Sequence, residues 1–241
     1  MIPPDVLYLV KNSDRNSELR WSLRSLNYIP HGNVMMAGYT PRWVKDVISV
    51  DVVQDSVKHL NALRNLVAAL QHPALGNNFI LMNDDFYILE PMDVLPVLHR
   101  GPLRKVIETY ENRKIASKYL IAMRRTEALL HQYGHKDPLS YELHCPMLFH
   151  KRSLLFIVNE FGLELRRNYR LHYRTLYGNL FQVGGEETMD FKLSEVGRPP
   201  MVAWPFLSSS DVTFAQLVSL LTRKIPHKSI HEHIGIPSAR Q

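Results

Sequence analysis

FILMNDDFYIL, residues 79–89, decides the fold of this chain. The run is apolar up to Met82, as in a strand covered on both faces, and then delivers Asn83, Asp84 and Asp85 at the strand's carboxyl end. Open α/β sheets bind ligands outside the carboxyl ends of their strands, so two carboxylates here mark a candidate site. Neighbouring side chains on a strand point to opposite faces, which puts Asn83 and Asp85 on one face and Asp84 on the other. Hard oxygen ligands of this kind suit Mg²⁺ or Mn²⁺ bridging a nucleotide diphosphate. Asp84 and Asp85 are therefore the expected metal ligands, with Asn83 beside them. The plain alternative is an ordinary Asn-Asp turn after a strand.

Working outward, DVLYLV (5–10), NVMMAG (33–38) and VISVDVV (47–53) also read as short strands. Between them lie helical periods. Leu19, Leu23 and Leu26 recur along ELRWSLRSLNYI, and 56–70 forms a second helix. Alternation of this type predicts an α/β layer with a mixed, mainly parallel sheet flanked by helices. From 97 to 135 charged helices suggest a helical insertion. ELHCPMLFH (142–150) returns to the sheet, helices follow at 151–162, 188–196 and 212–224, and 226–241 reads as a loosely packed tail. The expectation is one domain over 1–241.

Composition bounds the function. The chain has 241 residues, 45% hydrophobic and 22% charged, which excludes wholesale disorder. Its single cysteine excludes an internal disulfide. No apolar run is long enough for a membrane span and the N-terminus lacks a signal pattern, so a cytoplasmic protein is expected. Lys and Arg number 29 against 23 Asp and Glu, a net charge of +6 that favours an anionic partner.

Two more polar groups line up with the acids. Lys58, Asn61 and Asn65 form a stripe on the second helix, opposite Leu60, Leu63, Val67 and Leu70. Arg20 and Arg24 lie four apart on the first helix, a fair phosphate site behind strand one. Either set also reads as a solvated surface.

Together these residues resemble a family. Ser17, Glu18, Leu19 and Arg20, then Ser22, Leu23, Arg24, Ser25 and Leu26, then the phrase GYTPRWV (38–44), are similar to the N-E-L-R-x-S-L-R-S-L core and G-x-x-P-x-W-L phrase of the Stealth family of capsular-polysaccharide phosphotransferases. The run from Phe79 to Tyr87 looks like its F-I-Y-x-N-D-D-x-F block, and His144 and Pro146 like its H-x-P element. The family's Y-T-W-V-D-G-S-D opening is reduced here to YLVKNSD (8–14), and the helix before the NDD block lacks a family acid, with Asn65 near its place. The likeness covers 5–92 and 142–150. It implies a GT-A-like fold and a nucleotide diphosphate sugar as donor. The short chain is also similar to phage glycosyltransferases, which implies action in a host cytoplasm.

The reading that follows is a metal-dependent glycosyltransferase or sugar-1-phosphate transferase, moving a sugar to a hydroxyl of a polymeric acceptor. Asp84 and Asp85 hold Mn²⁺ or Mg²⁺, while Arg20, Arg24, Lys58, Asn61, Asn65 and Asn83 hold the donor. His144, Asp190 or Glu187 takes the acceptor proton. Arg166, Arg170 and Arg174, with Tyr169, Tyr173 and Tyr177, form a basic ridge if 166–177 is helical, which suits a polyanionic acceptor such as DNA or a phosphorylated glycan. One rival is a DNA-modifying glycosyltransferase acting on a hydroxylated base. Another, of a different class, is a non-catalytic nucleic-acid or glycan-binding protein. His227, His231 and His233 offer zinc spacing if helical, against a plain solvated tail.

Overall fold

The computed structural model describes residues 2–13, 15–54, 57–114, 117–167, 170–197 and 204–233. Asp14 of the opening motif, Tyr169 of the Arg/Tyr cluster and residues 234–241 of the tail lie outside the described residues. The elements run in chain order as β1 (Asp5–Leu9), α1 (Ser17–Ser25), β2 (Val34–Gly38), β3 (Ile48–Asp51), α2 (Lys58–Gln71), β4 (Asn78–Met82) and β5 (Phe86–Ile88). Then come β6 (Leu98–His99), α3 (Leu103–Asn112), α4 (Lys118–Gln132), β7 (Met147–His150), α5 (Lys151–Glu160), α6 (Gly162–Arg166) and α7 (Tyr173–Leu180). The chain closes with β8 (Glu186–Glu187), β9 (Phe206–Ser208) and α8 (Phe214–Lys224).

These elements divide into two compact units. The first comprises Met1–Leu95, His144–Lys151 and Phe191–Gln241; the second comprises Pro96–Leu143 and Arg152–Asp190. The expectation was one domain with an insertion at 97–135. The second unit takes in that stretch and also 152–190.

The first unit carries a five-stranded sheet in the order β3-β2-β1-β4-β7. β1, β2, β3 and β4 run parallel, and β7 lies antiparallel on the edge beside β4. Val6, Leu7, Tyr8, Leu81 and Met82 are fully buried, as continuous apolar strands require when both faces are covered. α1 contributes Leu19 and Leu23 to the core, and α2 contributes Leu66, Ala69 and Leu70. At the amino end of the sheet, buried Asp5 accepts hydrogen bonds from the amides of Asn33 (2.8 Å) and Gly76 (2.7 Å). A side chain at Gly76 would meet that carboxylate, so glycine is required there. A small sheet of β5 and β9, packed with α8, buries Tyr87, Leu207, Leu217 and Leu221.

Three local expectations differ from the structure. The segment 188–196 is extended rather than helical. Phe191 and Leu193 are buried on either side of Lys192, which bridges Ser208, so the apolar period is two and not 3.6. The run at 79–89 is two strands with a turn between them, closed by the Phe86 amide donating to the Asn83 carbonyl at 3.2 Å. Ser229, His231 and Glu232 of the expected loose tail are buried, and Val44 bridges Glu232.

In the second unit, β6 pairs in parallel with β8, and α3 packs on α4 around Leu103, Ile107, Leu120 and Met123. Among the described residues no helix is long and apolar enough to cross a membrane.

Candidate functional site at the carboxyl edge of the parallel sheet

The strand order locates the site. From β1 the chain crosses to β2 on one side, continues to β3, and then passes through α2 to β4 on the other side of β1. The order reverses between β1 and β4, and open α/β sheets bind ligands in the crevice at such a switch point. Two loops meet there, one leading from β1 into α1 and the other being the turn at 83–85. Asn16 joins them. Its Oδ1 caps α1 by accepting from the Leu19 amide at 3.0 Å, and its Nδ2 donates to Asp84 Oδ2 at 2.7 Å. Ser22 Oγ donates to the Asn83 carbonyl at 3.2 Å and shares a hydrogen bond with the Tyr8 hydroxyl.

The turn carries two carboxylates, Asp84 and Asp85, whose charges reach Glu18. Burial raises Asp84 above the usual carboxylate range, and the charge of Asp85 acts in the same direction. The hydrogen bond from Asn16 and the charges of Lys11 and Lys58 oppose the shift. Glu18, in the first turn of α1, is likewise raised by burial and by Asp84, Asp85 and Asp211, against a hydrogen bond from Ser209. Asp85 Oδ2 accepts from Ser208 Oγ at 3.0 Å and pairs with Lys192 Nζ at 3.5 Å. Beneath them the Tyr87 hydroxyl shares a hydrogen bond with Ser209 at 2.8 Å. Burial pushes that phenol strongly upward, and Glu18, Asp85 and Asp84 push the same way.

Like charges held in partial burial create a demand for positive charge. A closed protein cage does not meet it: among the described residues no three His, Cys, Asp or Glu side chains stand close enough to hold a metal ion. The donor set does fit a hard cation held by one or two carboxylates and completed by substrate phosphates, the usual manner of Mg²⁺. Lys11 and Lys58 bring further positive charge toward Asp84.

Of the α2 stripe, Asn65 turns inward. It is 2% exposed and donates to the Val10 carbonyl at 3.3 Å, while its Oδ1 has no partner among the described residues. Gln54 donates to the same carbonyl and accepts from the Asn12 amide. Gly38, at the end of β2 with φ of 111°, leaves the space that Asn65 fills. Asn61 sits in the first turn of α2, its amide donating to the Val57 carbonyl.

Arg20 and Arg24 are engaged elsewhere. Arg20 donates to Glu232 Oε2 at 2.7 Å, and Arg24 donates to both oxygens of that carboxylate at 2.6 and 2.9 Å. Arg20 lies over Trp43 and Arg24 over Trp21. Burial alone would raise Glu232, yet hydrogen bonds from Arg24 and the Ser229 amide, with both arginine charges, hold it below the usual range. In place of the expected phosphate clamp these arginines form a clasp between α1 and the tail, with Glu232 bonded to both guanidinium groups and Arg20 Nη2 buried without a hydrogen-bond partner among the described residues. The histidine pattern forms no zinc helix: His231 packs in this clasp, 6.4 Å from the His31 ring.

His144 stands in the first unit, edge-on to Phe86 with ring centroids 6.4 Å apart and so next to the residue that follows Asp85. Cys145 beside it is buried. Glu187 and Asp190 belong to the second unit, Glu187 lying exposed with its carboxylate over Gly101. The basic ridge does not form. α6 ends at Arg166, α7 begins at Tyr173, and Arg174 is buried and donates to the Leu143 carbonyl at 3.0 Å. Arg166 and Arg170 are exposed on separate segments.

Residue-by-residue reading did not assign roles to Asn16, Glu18, Ser208, Lys192 or Glu232. Asn16 was readable as a helix N-cap three residues before the first buried leucine. Glu18 sat inside a motif that drew attention to its arginines. Ser208 and Lys192 reach Asp85, and Glu232 reaches the clasp, only through the tertiary fold.

No family model matches the chain. No curated protein matches it. Among solved structures, the apo form of mouse xyloside xylosyltransferase 1 is similar over 75% of this chain and 81% of that one, at 7% identity and a TM-score of 0.37.

Proposed function

We propose that the chain is a GT-A-like transferase that takes a sugar, or a sugar phosphate, from a nucleotide diphosphate sugar and passes it to an acceptor hydroxyl. The observation that carries this reading is the placing of Asp84 and Asp85 at the β1/β4 switch point, with Asn16 holding Asp84 at 2.7 Å, where burial and neighbouring negative charge raise both Asp84 and Glu18 and favour an incoming cation. Two of the motifs that resemble the Stealth family fall on α1 and on the 83–85 turn, the two segments that Asn16 ties together.

Asp84 and Asp85 would hold Mg²⁺ or Mn²⁺, which when bound supplies Lewis-acid stabilisation of the leaving charge. Lys11 and Lys58 add positive charge for the diphosphate. Asn65 offers its buried Oδ1 to a donor group of the nucleotide sugar. Asn16 fixes Asp84 and the start of α1 in one geometry, so the carboxylate needs little rearrangement when the donor arrives. An imidazole nitrogen of His144 takes the acceptor proton, the role for which this side chain suits neutral pH.

The test is incubation with a panel of UDP and GDP sugars and Mn²⁺. Release of the nucleoside diphosphate identifies glycosyl transfer, and release of the monophosphate identifies sugar-phosphate transfer. Release of neither from any donor contradicts the proposal.

A further inference from the structure

The second unit contains a cluster that the donor chemistry does not use. Three rings stand in sequence: Tyr110 on α3, Tyr119 on α4, and His172 just before α7. Ring centroids are 5.5 Å apart in the first pair and 4.6 Å in the second. Arg100 follows β6 and donates to the Tyr110 hydroxyl. Burial opposes the charge of Arg100, but Tyr119, Asp190 and Tyr110 sustain it. Glu142 completes the group, its carboxylate accepting from the Thr175 amide at 3.3 Å.

His172 is the telling member. It is 6% exposed and anchored through its own amide to Thr126 Oγ1 at 3.0 Å, yet its Nδ1 is buried with no hydrogen-bond partner among the described residues. A buried polar atom left in this state costs about 1–3 kcal/mol, so it calls for a partner from outside the chain. Burial holds the ring neutral, Arg170 and Arg100 act the same way, and Glu142 opposes them. A neutral imidazole presents either a donor or an acceptor at Nδ1, and a hydroxyl satisfies both.

The charges around the ring narrow the ligand further. Arg100 and Arg170 are accompanied by the carboxylates of Glu142 and Asp190, so the cluster is no bare cationic pocket for an anion. It offers instead planar groups with several donors and acceptors beside aromatic faces, at a rim that is only partly buried. We infer that Tyr119, His172, Arg100 and Asp190 form a binding site on the second unit for a neutral, polyhydroxylated ring, one sugar of a glycan. This deepens the proposed transfer by naming a carbohydrate acceptor, and it rests on that reading only for the word acceptor.

The experiment needs no nucleotide sugar, so its failure and the failure of the donor reading are distinguishable. The full chain with ¹⁵N-labelled histidine is titrated with methyl glycosides of glucose, galactose, mannose and xylose, and separately with inorganic phosphate. Saturable, millimolar displacement of the His172 imidazole signals by at least one glycoside is expected. His172→Leu weakens that binding roughly tenfold, the loss of about one hydrogen bond, and Asp190→Asn weakens it as well. Should His172→Leu fail to fold, His172→Gln and Asp190→Asn decide the matter. The proposal is overturned if no glycoside moves the signals, if the folded variants bind as the parent does, or if phosphate alone moves them.

Discussion

The two ends of α1 hold charge in opposite ways. At its start, burial and then the charges of Asp84, Asp85 and Asp211 raise Glu18. Toward its end, Arg24, joined by Arg20 one turn earlier, closes on Glu232, opposite charges that hold the carboxylate below its usual range. The first assembly weakens the fold at neutral pH and the second strengthens it. Sites that break local rules of stability in this way are where binding and catalysis concentrate, whereas a carboxylate bonded between two guanidinium groups ties elements together. Arginines on a helix behind the first strand, read alone, gave no sign of Glu232.

The largest expected effect lies at the acid end. Asp85→Asn lowers donor turnover by about 10³-fold, since a neutral amide is a poor ligand for a hard cation and several kcal/mol of charge stabilisation is lost. Steady-state nucleotide release measures it, and turnover unchanged by the substitution removes the carboxylates from the chemistry. His144→Ala, beside the same turn, costs roughly 10²-fold in kcat with donor affinity retained. A loss confined to KM would assign that histidine to binding instead.

At the clasp end the effect is on stability. Glu232→Gln leaves two guanidinium groups, 18% and 14% exposed, without their carboxylate and destabilises the fold by about 3 kcal/mol. Because Glu232 is held low in the folded chain, its contribution is present above the unfolded carboxylate value and fades as pH falls through the folded one. Urea unfolding at neutral and acid pH checks this. A loss of stability equal at both would point to packing alone.

The smallest effect has the opposite sign. The folded value of Glu18 is raised, so the folded chain binds the extra proton and stability declines as pH rises through the window above about 4. Glu18→Gln is therefore slightly more stable than the parent at neutral pH and equal to it below about pH 4. A variant less stable at neutral pH would show that the hydrogen bond from Ser209 outweighs the repulsion.

Much of the first unit was legible in the chain. Val6, Leu7 and Tyr8 and the run from Phe79 to Met82 read as doubly covered strands, and they are buried in the parallel sheet. Leu19 and Leu23 announced the inner face of α1 by their period. The acid pair at the end of β4 was placed correctly, but its geometry was not. A turn at 83–85 replaces strand alternation, which no propensity distinguishes from a continued strand in so apolar a run. Glu232 lies more than two hundred residues from Arg20 and Arg24, so their neutralisation left no local trace. The break between α6 and α7 was hidden because Arg166, Arg170 and Arg174 keep a helical spacing that the backbone does not follow.

The contrast between the two ends of α1 is tested most directly at Asp84. Melting temperatures are measured for the parent and for Asp84→Asn at neutral pH, each alone and with Mn²⁺ plus a panel of nucleoside diphosphates. A carboxylate held above its usual range by burial and by Asp85 opposes folding, while Asn16 keeps a partner in the amide variant. The account predicts that unliganded Asp84→Asn melts higher than the parent and that at least one diphosphate with Mn²⁺ stabilises the parent but not the variant. A variant that melts lower than the parent and is stabilised as fully by the same ligand would contradict it.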